Sequence, residues 1–172
     1  MPLHLLRRFR DNLPISVIRH LINWWPPLLG AGIVIKDMSP DYRSVDVVMK
    51  QHWFNKNYVG THFGGSIFAM TDPFYMLMLF KNLGDDYIVW DKAAKIDFLK
   101  PGRGTLHASF RLTDDILKQV HDNTSQNQKY IFDIPVEVKD DQGVVIASVI
   151  RTLYTRRKEA FKDLPPIASN KM

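Results

Sequence analysis

The run from Ile67 to Phe80 sets the strongest limit on how this chain can fold. Counting tyrosine as apolar, its polar residues are Thr71 and Asp72 alone. Gly64, Gly65 and Ser66 precede it, the pattern continues to Asn82, and Gly84 supplies a stop, so Gly64 to Asn82 reads as a helix. A helix apolar on every face is buried all round, and the rest of the chain must wrap it. It is too short for a bilayer span, which takes about 20 apolar residues.

The wrapping material is strand. Ile33 to Lys36 is a short strand candidate, and Ser39-Pro40 makes a turn. Val45, Val47 and Met49 alternate with polar neighbours, as do Ala94, Ile96 and Phe98. Leu106, Ala108, Phe110 and Leu112 alternate strictly, and so do Tyr130, Phe132, Ile134, Val136 and Val138. Pro135 cannot donate to a ladder, which predicts an edge or a bulge there. Asp140 to Gly143 forms a hairpin turn, and Val144 to Tyr154 loses alternation, as a strand covered on both faces does. Asp114 to Val120 reads as a short helix capped by Thr113. Helices and strands do not alternate, so the class is α+β: an antiparallel sheet of five or six strands around one long buried helix. An N-terminal helical extension spans 1–29, the core 30–158 and a tail 159–172, within one domain of 172 residues.

The chain has no cysteine, which excludes disulfides, thiolate metal sites and cysteine nucleophiles. Six scattered histidines show no metal-ligand spacing, so no metal is expected. The net charge of +5 admits nucleic acid, an anionic membrane or a phosphate-rich small molecule. Arg7, Arg8, Arg10 and Arg19 lie near the start against Asp11, and Arg151, Arg156, Arg157, Lys158 and Lys162 near the end. No apolar h-region follows the first arginines, so a signal peptide is not expected, and the reading is a soluble, cytoplasmic protein. The basic stretch from Leu3 to Trp25 reads either as an interfacial membrane helix or, as terminal helices usually do, as a helix packed on its own domain.

Chemistry concentrates between Asn57 and Asp72. The first N–H groups of a helix have no intrahelical partner and carry the positive end of its dipole. Gly64 and Gly65 let another group approach those donors, which is how backbone alone builds an oxyanion hole. Asp72 is a carboxylate in an apolar helix, followed by a proline that removes a backbone bond. Desolvation makes such an acid a candidate general base for hydrolysis. The other reading is structural: Asp72 bonds Thr71, a lysine or a loop backbone, and the glycines form a tight turn.

These residues resemble the fingerprint of hotdog-fold acyl-CoA thioesterases of the phenylacetate-pathway type. Asn57, Gly64, Gly65 and Asp72 fall at the family's spacing, and Lys95-Ile-Asp-Phe-Leu-Lys-Pro-Gly102 resembles the strand after its central helix. The resemblance covers roughly Gly30 to Arg156. It implies hydrolysis of an acyl-CoA, with CoA as part of the substrate and no other cofactor. It implies a homodimer or dimer of dimers, each site lying between subunits. The roles carried over are an oxyanion hole at Gly64 and Gly65, a loop or carbonyl contact from Asn57, and Asp72 as base or nucleophile. This chain departs from the pattern in three places. The histidine before the glycines is Phe63, with His62 one residue earlier; Asp91 stands nearest the serine or threonine that helps to place water; and Pro73 follows the acid. His62, Phe63 and Asp91 are therefore expected at the substrate. Lys100 and Arg103, in a loop, are candidates for CoA phosphate contacts or solvated surface charge. Phe68, Phe74, Met76 and Met78 would be core or an acyl tunnel.

Rival readings are a non-catalytic acyl-CoA or lipid-binding hotdog protein, a hydratase on the same fold, and a nucleic-acid module. No recognition helix or stacking motif supports the last, and nucleic acid is not an expected partner. Phosphate-loop, dinucleotide and Gly-x-Ser-x-Gly motifs are absent from the sequence.

Overall fold

A computed structural model of the chain describes residues 13–158. Arg7, Arg8, Arg10 and the expected tail at 159–172 lie outside the described residues. Two short helices lead in, α1 (Ile15–Asn23) and α2 (Pro26–Ala31). Pro26 and Pro27 occupy the first turn of α2, where a missing N–H removes nothing, and Gly32 closes it in the left-handed region at φ 74°.

Strands β1 (Ile33–Met38) and β2 (Ser44–Lys50) form a hairpin, and a 3-10 turn follows at Trp53–Asn55. The central helix comes next as two segments, α3 (Gly64–Ala69) and α4 (Phe74–Leu83). After it come β3 (Tyr87–Phe98), β4 (Thr105–Arg111), α5 (Asp114–Thr124), β5 (Tyr130–Asp140) and β6 (Val145–Arg157). The six strands make one antiparallel sheet in the order β1-β2-β4-β5-β6-β3. Thr113 caps α5 as expected, its hydroxyl accepting from the Ile116 N–H at 3.3 Å.

The core is the inner face of the sheet closed by the central helix. Val45, Val47, Met49, Leu106, Ala108, Phe110, Val149 and Leu153 meet Ile67, Met70, Phe74, Met78 and Leu79. Phe110 stacks obliquely on Phe74, with ring centroids 4.9 Å apart. Burying side chains of this size contributes about 1.5–3 kcal/mol each.

The central helix departs from the sequence reading in one respect. It is interrupted between Met70 and Pro73, and its outer side, with Phe68, Met76, Leu77 and Phe80, is half-buried rather than enclosed. Pro73 has no N–H to give to the preceding turn. The Thr71 N–H and hydroxyl both turn back to the Phe68 carbonyl, at 3.0 and 2.8 Å, and end α3 there.

Pro135 behaves as expected. Strand β5 pairs with β4 only through Val138, Lys139 and Asp140, so at Pro135 its β4 side is a local edge. Strand β3 is longer than the sequence suggested. It begins at Tyr87, and a bulge between Asp91 and Ala93 hides the alternation. Strand β6 is not evenly covered on both faces. Its inward row is Ala147, Val149, Arg151, Leu153 and Thr155, and the two polar members disguise a strict period of two.

Candidate functional site

Two places gather the candidate residues, and they are separate. The first is the start of α3. A cavity of about 500 Å³ opens there, with Asn57, His62, Gly64, Phe98, Lys100 and Arg103 among its walls. Gly64 and Gly65 N–H have no backbone acceptor among the described residues, so two donors at the positive end of the helix are available. A Cβ on Gly64 would sit 3.1 Å from Cζ of Phe98, and one on Gly65 would meet the Phe63 ring, so either substitution would push an exposed aromatic ring aside.

Asn57 holds its own loop. Its side-chain oxygen accepts from the Val59 and Thr61 N–H groups at 3.1 and 3.0 Å. Its amide nitrogen donates to the Thr61 hydroxyl and the His62 carbonyl. Of the two roles expected for Asn57, the geometry fits loop anchor. His62 is a buried clamp. Its N–H donates to the Gly102 carbonyl at 2.9 Å, and its Nε2 lies 2.9 Å from the Gly104 carbonyl. Its Nδ1 is buried with no hydrogen-bond partner. Burial holds the imidazole below the usual histidine range, against the pull of the Gly104 carbonyl. These contacts tie the loop before α3 to the β3–β4 loop. Arg103 adds a bond to the Gly60 carbonyl at 3.2 Å, while Lys100 is exposed on the rim.

The second place lies at the break in the central helix. Asp72 is not buried: its side chain is 54% exposed. It accepts from Nη2 of Arg151 at 2.6 Å. The same guanidinium donates from Nε to Asp91 Oδ1 at 3.1 Å, with Nη2 2.8 Å from that oxygen. Arg151 is 2% exposed, its Nη1 is buried without a hydrogen-bond partner, and its Cζ lies 5.4 Å from the Phe68 ring centroid. Burial pushes the Asp91 carboxyl above the usual aspartate range, with Arg151 opposing and Asp72 reinforcing the rise.

Asp91 therefore shares a cation with Asp72, while neither acid is among the cavity walls. Eight residues separate Gly64 from Asp72, about 12 Å at 1.5 Å per residue. Arg151 was missed in the sequence because its strand looked irregular. The signal was there: a single charge in the apolar row of Ala147, Val149 and Leu153. Among the described residues, no three His, Asp or Glu side chains converge as metal ligands do. Nor, among the described residues, is any helix long and apolar enough to cross a membrane.

Comparison with known proteins fits this architecture. The family described as "Domain of unknown function (DUF4442)" matches residues 16–155. No curated protein matches the sequence. Among solved structures, PA5026 of Pseudomonas aeruginosa, described as a protein of unknown function and "Probable Thioesterase", superposes with a TM-score of 0.73 at 21% identity, covering 84% of this chain and 97% of its own. Thioesterase HI1161 of Haemophilus influenzae gives 0.60 at 13% identity, covering 85% and 92%. The PaaI protein of E. coli, from the phenylacetic acid degradation operon, gives 0.56 at 17%, covering 87% and 94%. At these identities the likeness establishes the hotdog fold.

Proposed function

We propose that this chain, which belongs to the DUF4442 family, hydrolyses acyl-CoA thioesters. The observation that carries the reading is the start of α3, where the Gly64 and Gly65 N–H groups have no backbone acceptor among the described residues and Gly64 lines a cavity with a basic rim. A thioester carbonyl seated there would place its developing oxyanion against Gly64 and Gly65. Lys100 and Arg103 would meet the CoA phosphates. The names of the hotdog neighbours agree with this reaction class. The CoA moiety belongs to the substrate, and the reaction needs no further cofactor.

Asp72 supplies the carboxylate. As a base it takes a proton from water, the hydroxide adds to the carbonyl carbon, and the collapsing oxyanion expels the CoA thiolate, which takes up the proton. As a nucleophile it adds to the carbonyl carbon and expels the CoA thiolate, and water then cleaves the mixed anhydride to the free acid, its proton going to the thiolate. The separation of about 12 Å from Gly64 is too long for either step within one subunit. The acid therefore comes from a second copy. Strand β3 is one of the two edges of the sheet and exposes Trp90, Ala93 and Phe98. Pairing two such edges would join the sheets of a homodimer. Arg151 positions Asp72, and Asp91 shares the load on that cation.

Asp72→Asn should lower turnover on a panel of acyl-CoAs by orders of magnitude with the fold intact. Wild-type rates on every substrate cleaved would remove Asp72 from the mechanism. The ion pair with Arg151 favours one second reading, a non-catalytic acyl-CoA or lipid-binding protein, since an Asp72 oxygen is already engaged by the guanidinium. Native mass spectrometry with bound acyl ligand and no hydrolysis by wild type would select it.

A further inference from the structure

We infer that the outward face of β1, β2 and β4 holds a second binding site, for a small organic molecule with a phosphate at each end of an apolar body. The inference rests on this recess alone and not on thioester hydrolysis. None of its residues belongs to the Gly64 cavity or to the Asp72–Arg151–Asp91 cluster.

The recess holds about 590 Å³, within the usual size of small-molecule pockets. Strand pairing sets its floor. Val34 on β1 lies opposite Val48 on β2, and Val48 lies opposite His107 on β4. Side chains two apart on a strand share a face, so Lys50 and Thr105 stand on one side of this row and Lys36 on the other. Val34 and Val48 are short, which leaves an apolar floor between longer polar groups.

Charge pairing on this face selects the ligand. Asp46 accepts from Nη2 of Arg111 through both oxygens and from the Ser109 hydroxyl. Asp141 is held by Nε2 of His107 at 2.7 Å, and Glu137 by Lys139 at 2.8 Å. Asp37 lies 3.8 Å from Arg19. These acids are engaged by other cations. Lys36 and Lys50 are exposed, and among the described residues neither ammonium has a hydrogen bond or an ion pair. The recess thus carries two cations with no acid of their own above hydrocarbon.

Their spacing sets the length of the ligand. Ile33 pairs with Met49, so Lys50 lies opposite Gly32. Lys36 is four residues further along β1, about 13 Å at strand rise. Two ammonium groups so placed, with valines between them, match one anion at each end of an apolar chain. Phosphate monoesters fit better than carboxylates, since each brings nearly two negative charges at neutral pH and lysine meets phosphate as a point charge.

Hexane-1,6-diyl bisphosphate has this form and serves as the probe. Titration calorimetry of the full chain should show one molecule bound per chain, more weakly as salt rises. Backbone amide signals should move at Val34, Val48 and Thr105 and stay in place at Gly64. Lys36→Gln with Lys50→Gln should weaken binding at least about tenfold, since each removes a charge-assisted contact, with the melting temperature unchanged. Val34→Asp puts an acid on the floor and should abolish binding. Lys139→Gln, on the same face but paired with Glu137, should bind as wild type does. Hexyl phosphate lacks the second anion and inorganic pyrophosphate lacks the apolar body, so both should bind more weakly. No binding of the bisphosphate at about millimolar concentration would overturn the inference. So would binding that ignores Lys36 and Lys50, an equal loss in Lys139→Gln, amide shifts centred on Gly64, or equal affinity for the two shorter probes.

Discussion

Arg151 organises the chemistry of the inner sheet face at the scale of single residues. It is buried, yet it neutralises an exposed acid and a half-buried one at once. Arg151→Met should destabilise the fold by roughly 3 kcal/mol at neutral pH, the scale for breaking a buried ion pair. The loss should shrink as pH falls, because burial makes Asp91 take up its proton sooner than an ordinary aspartate. In the wild type the sign follows from proton counting. Folded Asp91 binds its proton more tightly than the unfolded chain does, so stability falls as pH climbs through and above the ordinary aspartate range. Asp91→Asn should flatten that slope, which melting curves across pH would read. His62 has the opposite sign. The folded imidazole resists its proton, so stability falls as pH drops below about 6.5. His62→Gln should remove this acid-side loss. A Tm that falls equally with acid in both proteins would show that His62 is not the group. Asn57 and Asp72 both stood out in the sequence as candidate site residues. Their partners did not, because a side chain's hydrogen bonds depend on strands far along the chain.

Elements tell a similar story. Strands β2 and β4 were read correctly because each buries an unbroken apolar row. Strands β3 and β6 were placed, but the start of β3 and the facing of β6 were not, for physical reasons that sit in particular residues. A bulge after Asp91 shifts the facing of Tyr87 to Trp90 relative to the rest of β3. On β6 the inward row admits Arg151 and Thr155, so period alone cannot separate core from surface. The central helix was legible in extent but not in continuity. Pro73 announces a break, while its severity depends on Thr71 taking over the Phe68 carbonyl. Pro73→Ala would restore the missing donor and allow α3 and α4 to merge, turning Asp72 away from Arg151. Stability should then change by no more than about 1 kcal/mol, since the site is a helix boundary rather than an interior. Acyl-CoA turnover should drop much further than that change explains. Equal turnover in Pro73→Ala and wild type would mean that the break does not place the acid.

In the proposed mechanism the two halves of the chemistry would cohere only in a pair. The donors open α3 and Asp72 lies in the break after it, about 12 Å away at helical rise. A symmetric partner would bring the acid of one copy toward the donors of the other. Introducing charge on the β3 edge, by Trp90→Asp with Ala93→Asp, should yield monomers by light scattering, and hydrolysis should be lost with them. Complementation is a sharper test because it does not depend on breaking the dimer. Asp72→Asn chains keep the donors and lose the acid. Gly64→Val chains keep the acid and crowd the donors with a side chain pressed against Phe98. Each alone should be inactive. Mixed by joint refolding, half of the dimers carry one of each, and every such dimer has one site with both groups intact. Activity should recover to about one quarter of wild type, the statistical ceiling for a two-fold pair with shared sites. A site contained within one subunit predicts no recovery at any mixing ratio, because no single chain in the mixture holds both groups.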